Sequence, residues 1–208
     1  MSGAGSRALF ARVRAEMPLK AFGTTAFITL FFVAYFAALN HPQFPVRIMR
    51  PGVVDALVPY QTWTIGIYFT LWVYVSLPPA LMRNRPELYH YGWVSAALGL
   101  SGLAVFTFWP TKVLHEGADF LKRVDPGGNA FPSMHAAYAV LTAVVLDRIL
   151  RSLGASLGWR IFNAAWCGAI LYSTLSTKQH VFSDIAVGSA MGLIAAQFFS
   201  SSRLNVPD

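Results

Sequence analysis

Acidic residues are scarce in this chain. Nine Asp and Glu stand against sixteen Lys and Arg in 208 residues, and charged residues of both signs make up only 12%. Soluble domains carry roughly 25% charged residues, so about half of the usual solvating surface is missing. Lipid has to serve as solvent for much of such a chain. Cysteine is scarcer still. The single Cys167 lies in an apolar stretch, which excludes an internal disulfide and a Cys-based metal cluster; it reads as a small buried hydrophobe. Internal repeats, low-complexity segments and polar runs long enough for a soluble domain are all missing, so residues 1–208 read as a single transmembrane domain. The net charge of +7 does not indicate nucleic acid, because the basic residues fall in short patches between apolar runs.

What is abundant is hydrophobic residues, 55% of the chain, with a mean hydropathy of +0.49. About 20 predominantly apolar residues span the hydrocarbon core as a helix. Six segments fit, two of them short: 21–39, 62–81, 91–109, 136–150, 161–175 and 181–200. The expectation is an all-α polytopic membrane protein, a bundle of six transmembrane helices. The first segment follows Arg7, Arg12, Arg14 and Lys20 as a signal peptide would, but it is longer than a typical apolar signal region and no small-residue cleavage site follows, so it reads as a retained helix. Residues 8–20 suit a short amphipathic helix on the membrane surface as far as Pro18. Pro78 and Pro79 are expected to kink or end the second helix. Tyr89, His90, Tyr91 and Trp93 resemble an interfacial belt, and Gly188 and Gly192 form a small-xxx-small face for close helix approach.

Orientation follows from the basic residues of the loops. With the N-terminus inside, ten Lys and Arg lie on the inner side (Arg7, Arg12, Arg14, Lys20, Arg83, Arg85, Arg148, Arg151, Arg160, Arg203) and six on the outer (Arg47, Arg50, Lys112, Lys122, Arg123, Lys178). Both termini are then cytoplasmic, and compact size suggests a bacterial inner membrane. Two polar stretches, GGNAFPSMHAAYAV (127–140) and STKQHVFSDIAVG (176–188), come to the outer, periplasmic side.

In the first stretch Pro132 and Ser133 stand where a helix begins, with His135 in its first turn. Serine is a good N-cap, proline is tolerated in the opening turn, and a helix N-terminus is an anion site. In the second, His180 and Asp184 are four residues apart, which on a helix puts them on one face about 6 Å apart along the axis. An Asp so placed accepts the Nδ1 proton of His180 and leaves Nε2 free to attack. Lys178 adds a cation, and Ser173, Thr174, Ser176 and Thr177 add hydroxyls. These parts suit phosphoryl transfer: His180 as nucleophile, His135 protonating the leaving oxygen, and helix N-termini with Lys178 holding phosphoryl oxygens. A metal held by two His and one Asp is the alternative, disfavoured by the nearby cations; no cofactor is expected.

With these residues in view, the chain resembles the type 2 phosphatidic acid phosphatase superfamily, which includes lipid phosphatases, undecaprenyl pyrophosphate phosphatases, vanadium haloperoxidases and inositol phosphorylceramide synthase-like transferases. The family's Pro-Ser-Gly-His motif reads PSMH here, Pro132 to His135. Its Ser-Arg, five residues, His, three residues, Asp motif reads Ser173, Thr174, His180 and Asp184. The soluble haloperoxidases are excluded by the apolar spans. Met134 replaces the family's Gly, as in an FPSxH branch that holds ceramide head-group transferases. Thr174 replaces an Arg, and Lys178 is expected to supply the missing cation. The family's first motif, Lys, six residues, Arg-Pro, is not present as such; the equivalent loop reads WPTKVLHEGADFLKRV, where Lys112 is the first choice for the phosphate, His115 stands near the place of the Arg, and Lys122 and Arg123 are the other cations.

The resemblance implies an active site at the extracytoplasmic ends of helices three to six. His180 is then the nucleophile, Asp184 its orienting carboxylate and His135 the general acid, with Ser133, Met134, Lys112, Lys178, Ser173 and Thr174 around the phosphate. It implies a metal-independent phosphatase acting on a lipid phosphate or polyprenyl diphosphate through a phosphohistidine. A phosphotransferase using a lipid alcohol is the alternative, and a transporter or structural protein that has lost catalysis is a weaker one, because His135, His180 and Asp184 are all retained.

Overall fold

Caps and prolines set the helix boundaries in the computed structural model, which describes residues 3–114 and 127–199. Helix α1, Gly3–Arg14, stops short of the expected Pro18; Glu16 takes a left-handed conformation and α2, Met17–Asn40, uses Pro18 in its opening turn. A short α3, Val53–Leu57, precedes α4, Thr64–Phe69, and α5, Leu71–Leu81, which meet at Thr70. Pro78 and Pro79 sit within the last turns of α5, which ends two residues later. Helix α6, Arg85–Phe108, starts earlier than its apolar run because the Asn84 side chain accepts the Glu87 N–H at 3.0 Å and Pro86 occupies the first turn. Then come α7, Met134–Ser152, α8, Leu157–Ser176, and α9, Phe182–Phe198.

Among the described residues, three helices are long and apolar enough to cross a membrane: Met17–Asn40, Thr64–Leu81 and Arg85–Phe108; α9 is apolar but shorter. The purely helical expectation needs one amendment. A parallel pair of strands, β1 (Arg47–Met49) and β2 (Thr111–Val113), ties the loop after α2 to the loop after α6, with Ile48 opposite Lys112.

Helix α7 lies at the centre. It packs most extensively on α9 and then on α8 and α5, and its buried residues run from Met134 to Ile149. The α7–α9 seam is close because of glycine: a Cβ at Gly188 would collide with the Ser133 carbonyl oxygen, and one at Gly192 with that of Ala137. Polar tethers hold the opposite end of the bundle. Lys20 Nζ donates to the carbonyls of Arg12 (2.6 Å) and Ala80 (2.9 Å), joining α1, α2 and the C-terminal end of α5. The Arg12 guanidinium donates to Ser152, and its pKa is lowered by desolvation and then by the Arg83 cation, with Glu87 opposing. Tyr91 departs from the expected belt: it is buried against Phe199, whereas Tyr89 and Trp93 are exposed. Cys167 is buried.

Candidate active site

Two helix N-termini are locked together where the histidines stand. Ser133 is the N-cap of α7, its hydroxyl oxygen accepting the Ala136 N–H at 3.3 Å, and its own N–H donates to the Asp184 carbonyl at 3.0 Å. The Asp184 carboxylate, fully buried, caps α9 by accepting the Val181 N–H at 3.2 Å. A second buried carboxylate serves the same helix from a distance: Asp55 in α3 accepts the Phe182 N–H at 2.8 Å, and also the Gly52 N–H at 2.8 Å. Nothing local in the sequence distinguishes Asp55 from an ordinary loop acid.

His180 differs from expectation in its partner. The Nδ1 atom lies 2.8 Å from the Ala130 carbonyl oxygen and 3.6 Å from Asp184 Oδ2. A carbonyl only accepts, so Nδ1 carries the proton and donates it there, and Nε2 keeps its lone pair. The Nδ1 hydrogen bond is therefore made by a backbone oxygen, and Asp184 acts as a nearby charge and a helix cap. The four-residue spacing assumed one continuous helix, but α9 begins at Phe182 and Val181 is extended (φ −92°, ψ 161°), so His180 lies ahead of the helical face that Asp184 occupies.

The His135 ring centroid is 5.6 Å from that of His180. Its Nε2 is 2.7 Å from the Tyr68 hydroxyl, and the Tyr68 ring stacks on it at 4.8 Å. Tyr68 was not legible as a site residue, being one aromatic among many in an apolar run. The loop before α7 is fixed to the strand pair by Phe131 N–H donating to Thr111 Oγ1 at 2.7 Å, and Asn129 donates to the Tyr35 carbonyl at 3.1 Å. This frame sets the height of the Ala130 carbonyl.

Both histidines line one end of a cavity of about 490 Å³ whose other walls are aromatic and aliphatic side chains of α2, α4, α5, α6 and α7. Along α2 it reaches from Leu19 to Phe36, a length of about 25 Å at the helical rise. Asn129, Gln179 and Met134 line it too. Met134 does so while its thioether packs on Gly102 of α6.

The other expected phosphate ligands lie elsewhere. Ser133 is wholly buried as a cap, and the Ser173 and Thr174 hydroxyls donate to the Ile170 carbonyl at 2.7 and 2.8 Å; none of the three lines the cavity. In a helix a hydroxyl readily satisfies itself on the preceding turn. Lys178, left-handed at φ 58°, donates to the carbonyls of Asp55 (2.8 Å) and Val58, binding the α3 loop. Lys112 is exposed on β2 beside a separate, smaller hollow. His115, Lys122 and Arg123 lie outside the described residues. Among the described residues no three His, Cys, Asp or Glu side chains converge as a metal site.

Residues 113–198 match the model of a protein family described as the PAP2 superfamily. That segment carries His135, His180 and Asp184 and ends at the last residue of α9. No curated protein and no solved structure matches the chain. The matched segment is less than half of the chain, and with the paired histidine motifs inside it the chain is similar to the type 2 phosphatidic acid phosphatase superfamily over that segment.

Proposed function

We propose that this protein is a membrane-embedded phosphatase that hydrolyses a lipid phosphate or polyprenyl diphosphate through a phosphohistidine. The observation that carries this reading is the pair of histidines at one end of a long apolar cavity, one with Nε2 left as a lone-pair nitrogen by the Ala130 carbonyl. The apolar length suits a hydrocarbon tail, and the histidine end suits its phosphate.

In the first step the His180 Nε2 lone pair forms a bond to phosphorus as the bond from phosphorus to the lipid oxygen breaks. That oxygen leaves with a proton from His135, whose ring Tyr68 holds. In the second, a water attacks phosphorus, its proton passes to the now neutral His135, and the P–N bond breaks to restore the lone pair of His180. Each histidine ends as it began. Asp184, buried 3.6 Å from Nδ1, favours the positive charge that the ring carries while phosphorylated. No step is assigned to a metal.

The same intermediate delivered to a lipid alcohol makes a head-group transferase; the FPSMH variant at Phe131 to His135 favours that reading. We also propose that all six long helical segments span the membrane as one domain, with cytoplasmic termini and a periplasmic site, which the loop charges support. The deciding experiment uses purified protein in detergent with EDTA and a panel of lipid phosphates, with and without diacylglycerol or ceramide. Free phosphate that disappears in His180→Ala supports hydrolysis; new phospholipid without free phosphate makes the protein a transferase. Unchanged phosphate release in His180→Ala would remove the assigned nucleophile.

A further inference from the structure

Gln179 immediately precedes the proposed nucleophile, and it is an expensive residue to have where it is. The residue is 1% exposed, and both amide atoms, Nε2 and Oε1, are buried without a hydrogen-bond partner among the described residues. A buried amide left unsatisfied at both ends costs stability that an apolar side chain of the same shape would not. It nevertheless lines the cavity end occupied by His135, His180 and Asn129. Its backbone is set by neighbours with other tasks: Lys178 is anchored to the Asp55 and Val58 carbonyls and His180 to that of Ala130. The backbone of Gln179 is thus held beside the nucleophile by contacts that its amide does not itself make.

We infer that Gln179 is a substrate ligand: its Nε2–H donates to a non-bridging phosphoryl oxygen, and its Oε1 accepts from the hydroxyl of the water or alcohol that takes up the phosphoryl group. This rests on the phosphoryl-transfer reading above. A phosphoryl group offers only acceptors once ionised, so it satisfies the donor end of the amide. The acceptor end needs an O–H, and the incoming hydroxyl is the group that brings one to the same place. The position is also where a donor is needed, since the Ser173 and Thr174 hydroxyls are spent on Ile170 and the Lys178 ammonium on the α3 loop. A neutral amide suits a cavity walled by aromatic side chains better than an ammonium, whose desolvation is far more costly.

The test uses the full chain in detergent with two variants: Gln179→Met, of similar length and shape without polar atoms, and Gln179→Glu, which exchanges the donor for a negative charge. Three quantities are read: thermal stability, its increase on adding inorganic phosphate, and turnover of whichever lipid phosphate the wild type accepts. The expectation for Gln179→Met is an unfolding temperature equal to or above wild type, because two unsatisfied groups are gone. Phosphate stabilisation should be lost, and kcat/KM should fall about 10²-fold, as for loss of an oxyanion donor. Gln179→Glu should lose phosphate stabilisation at least as completely. A destabilised Gln179→Met with wild-type turnover, or phosphate stabilisation within two-fold of wild type in both variants, overturns the assignment. Should the wild type release no phosphate in a His180-dependent way, the phosphatase reading fails by itself. The phosphate-stabilisation comparison then still decides Gln179, with no stabilisation of the wild type counting against it.

Discussion

Helices α2 and α7 invert the relation between apolar composition and burial that holds in water-soluble proteins. α2 is the most apolar of the three candidate spans, yet apart from Lys20 none of its residues is buried, and Phe22, Leu30 and Val33 are largely exposed. α7 carries Asp147, Arg148 and Arg151, does not qualify as a span on length and composition, and is the most enclosed helix of the bundle. The difference teaches which neighbour each helix is built for. A helix facing lipid needs large apolar side chains all round, because the bilayer is its solvent. A helix facing other helices gains nothing from hydrophobicity in that setting and is instead made of Ala136, Ala137 and Ala139, small enough for close approach. Its charges are retired in pairs, Asp147 with Arg151 at 2.8 Å and with Arg160 at 2.7 Å.

The comparison is sharpest for catalysis. His135→Ala at the head of α7 should lower kcat by about 10²–10⁴-fold, the worth of a positioned acid, while Phe32→Ala on the α2 wall of the same cavity should change KM a few-fold and leave kcat alone. Steady-state kinetics on one lipid phosphate checks both; equal losses would erase the distinction. Next in size is the glycine pair. Gly188→Ala should destabilise the protein by about 1–3 kcal/mol, as overpacking does, and lower turnover with it by forcing Ser133 and Asp184 apart. Gly23→Ala in α2, where a Cβ meets nothing within 4 Å, should be neutral. Thermal unfolding of the two variants side by side decides the point. A smaller effect is expected of Tyr68→Phe, about ten-fold in kcat with KM unchanged, for the loss of the hydrogen bond that holds the His135 ring. Smallest is Leu30→Ala on the lipid face, whose unfolding temperature and turnover should match wild type; a marked loss would mean that this face is covered by protein.

Much of the bundle was legible because its periodic signals are local. Apolar length marked out the long helices, and where the boundaries differ the cause is a cap or proline, as at Asn84 and Pro18. The Ser133 cap, the Gly188 and Gly192 seam and the burial of Cys167 were readable for the same reason: each depends on a residue and its immediate turn. The strand pair was not, since three-residue strands in two distant loops leave no periodicity. Tyr91 was misplaced because an aromatic near a helix start looks alike whether it faces lipid headgroups or Phe199.

By itself the sequence determined that this is a helical chain with lipid as solvent, that two histidine motifs sit at helix mouths, and which superfamily the segment carrying them resembles. The tertiary structure alone decided what each polar group does with its hydrogen bonds. The Ala130 carbonyl rather than Asp184 accepts the His180 Nδ1–H hydrogen bond, Tyr68 faces His135, and Lys178 binds the α3 loop. Those pairs join residues 50, 67 and 123 positions apart. The reason is physical. Helical spacing predicts contacts only while the helix is continuous, and between Lys178 and Val181 it is not, so the direction of each site side chain is set by backbone turns that only the packed bundle fixes.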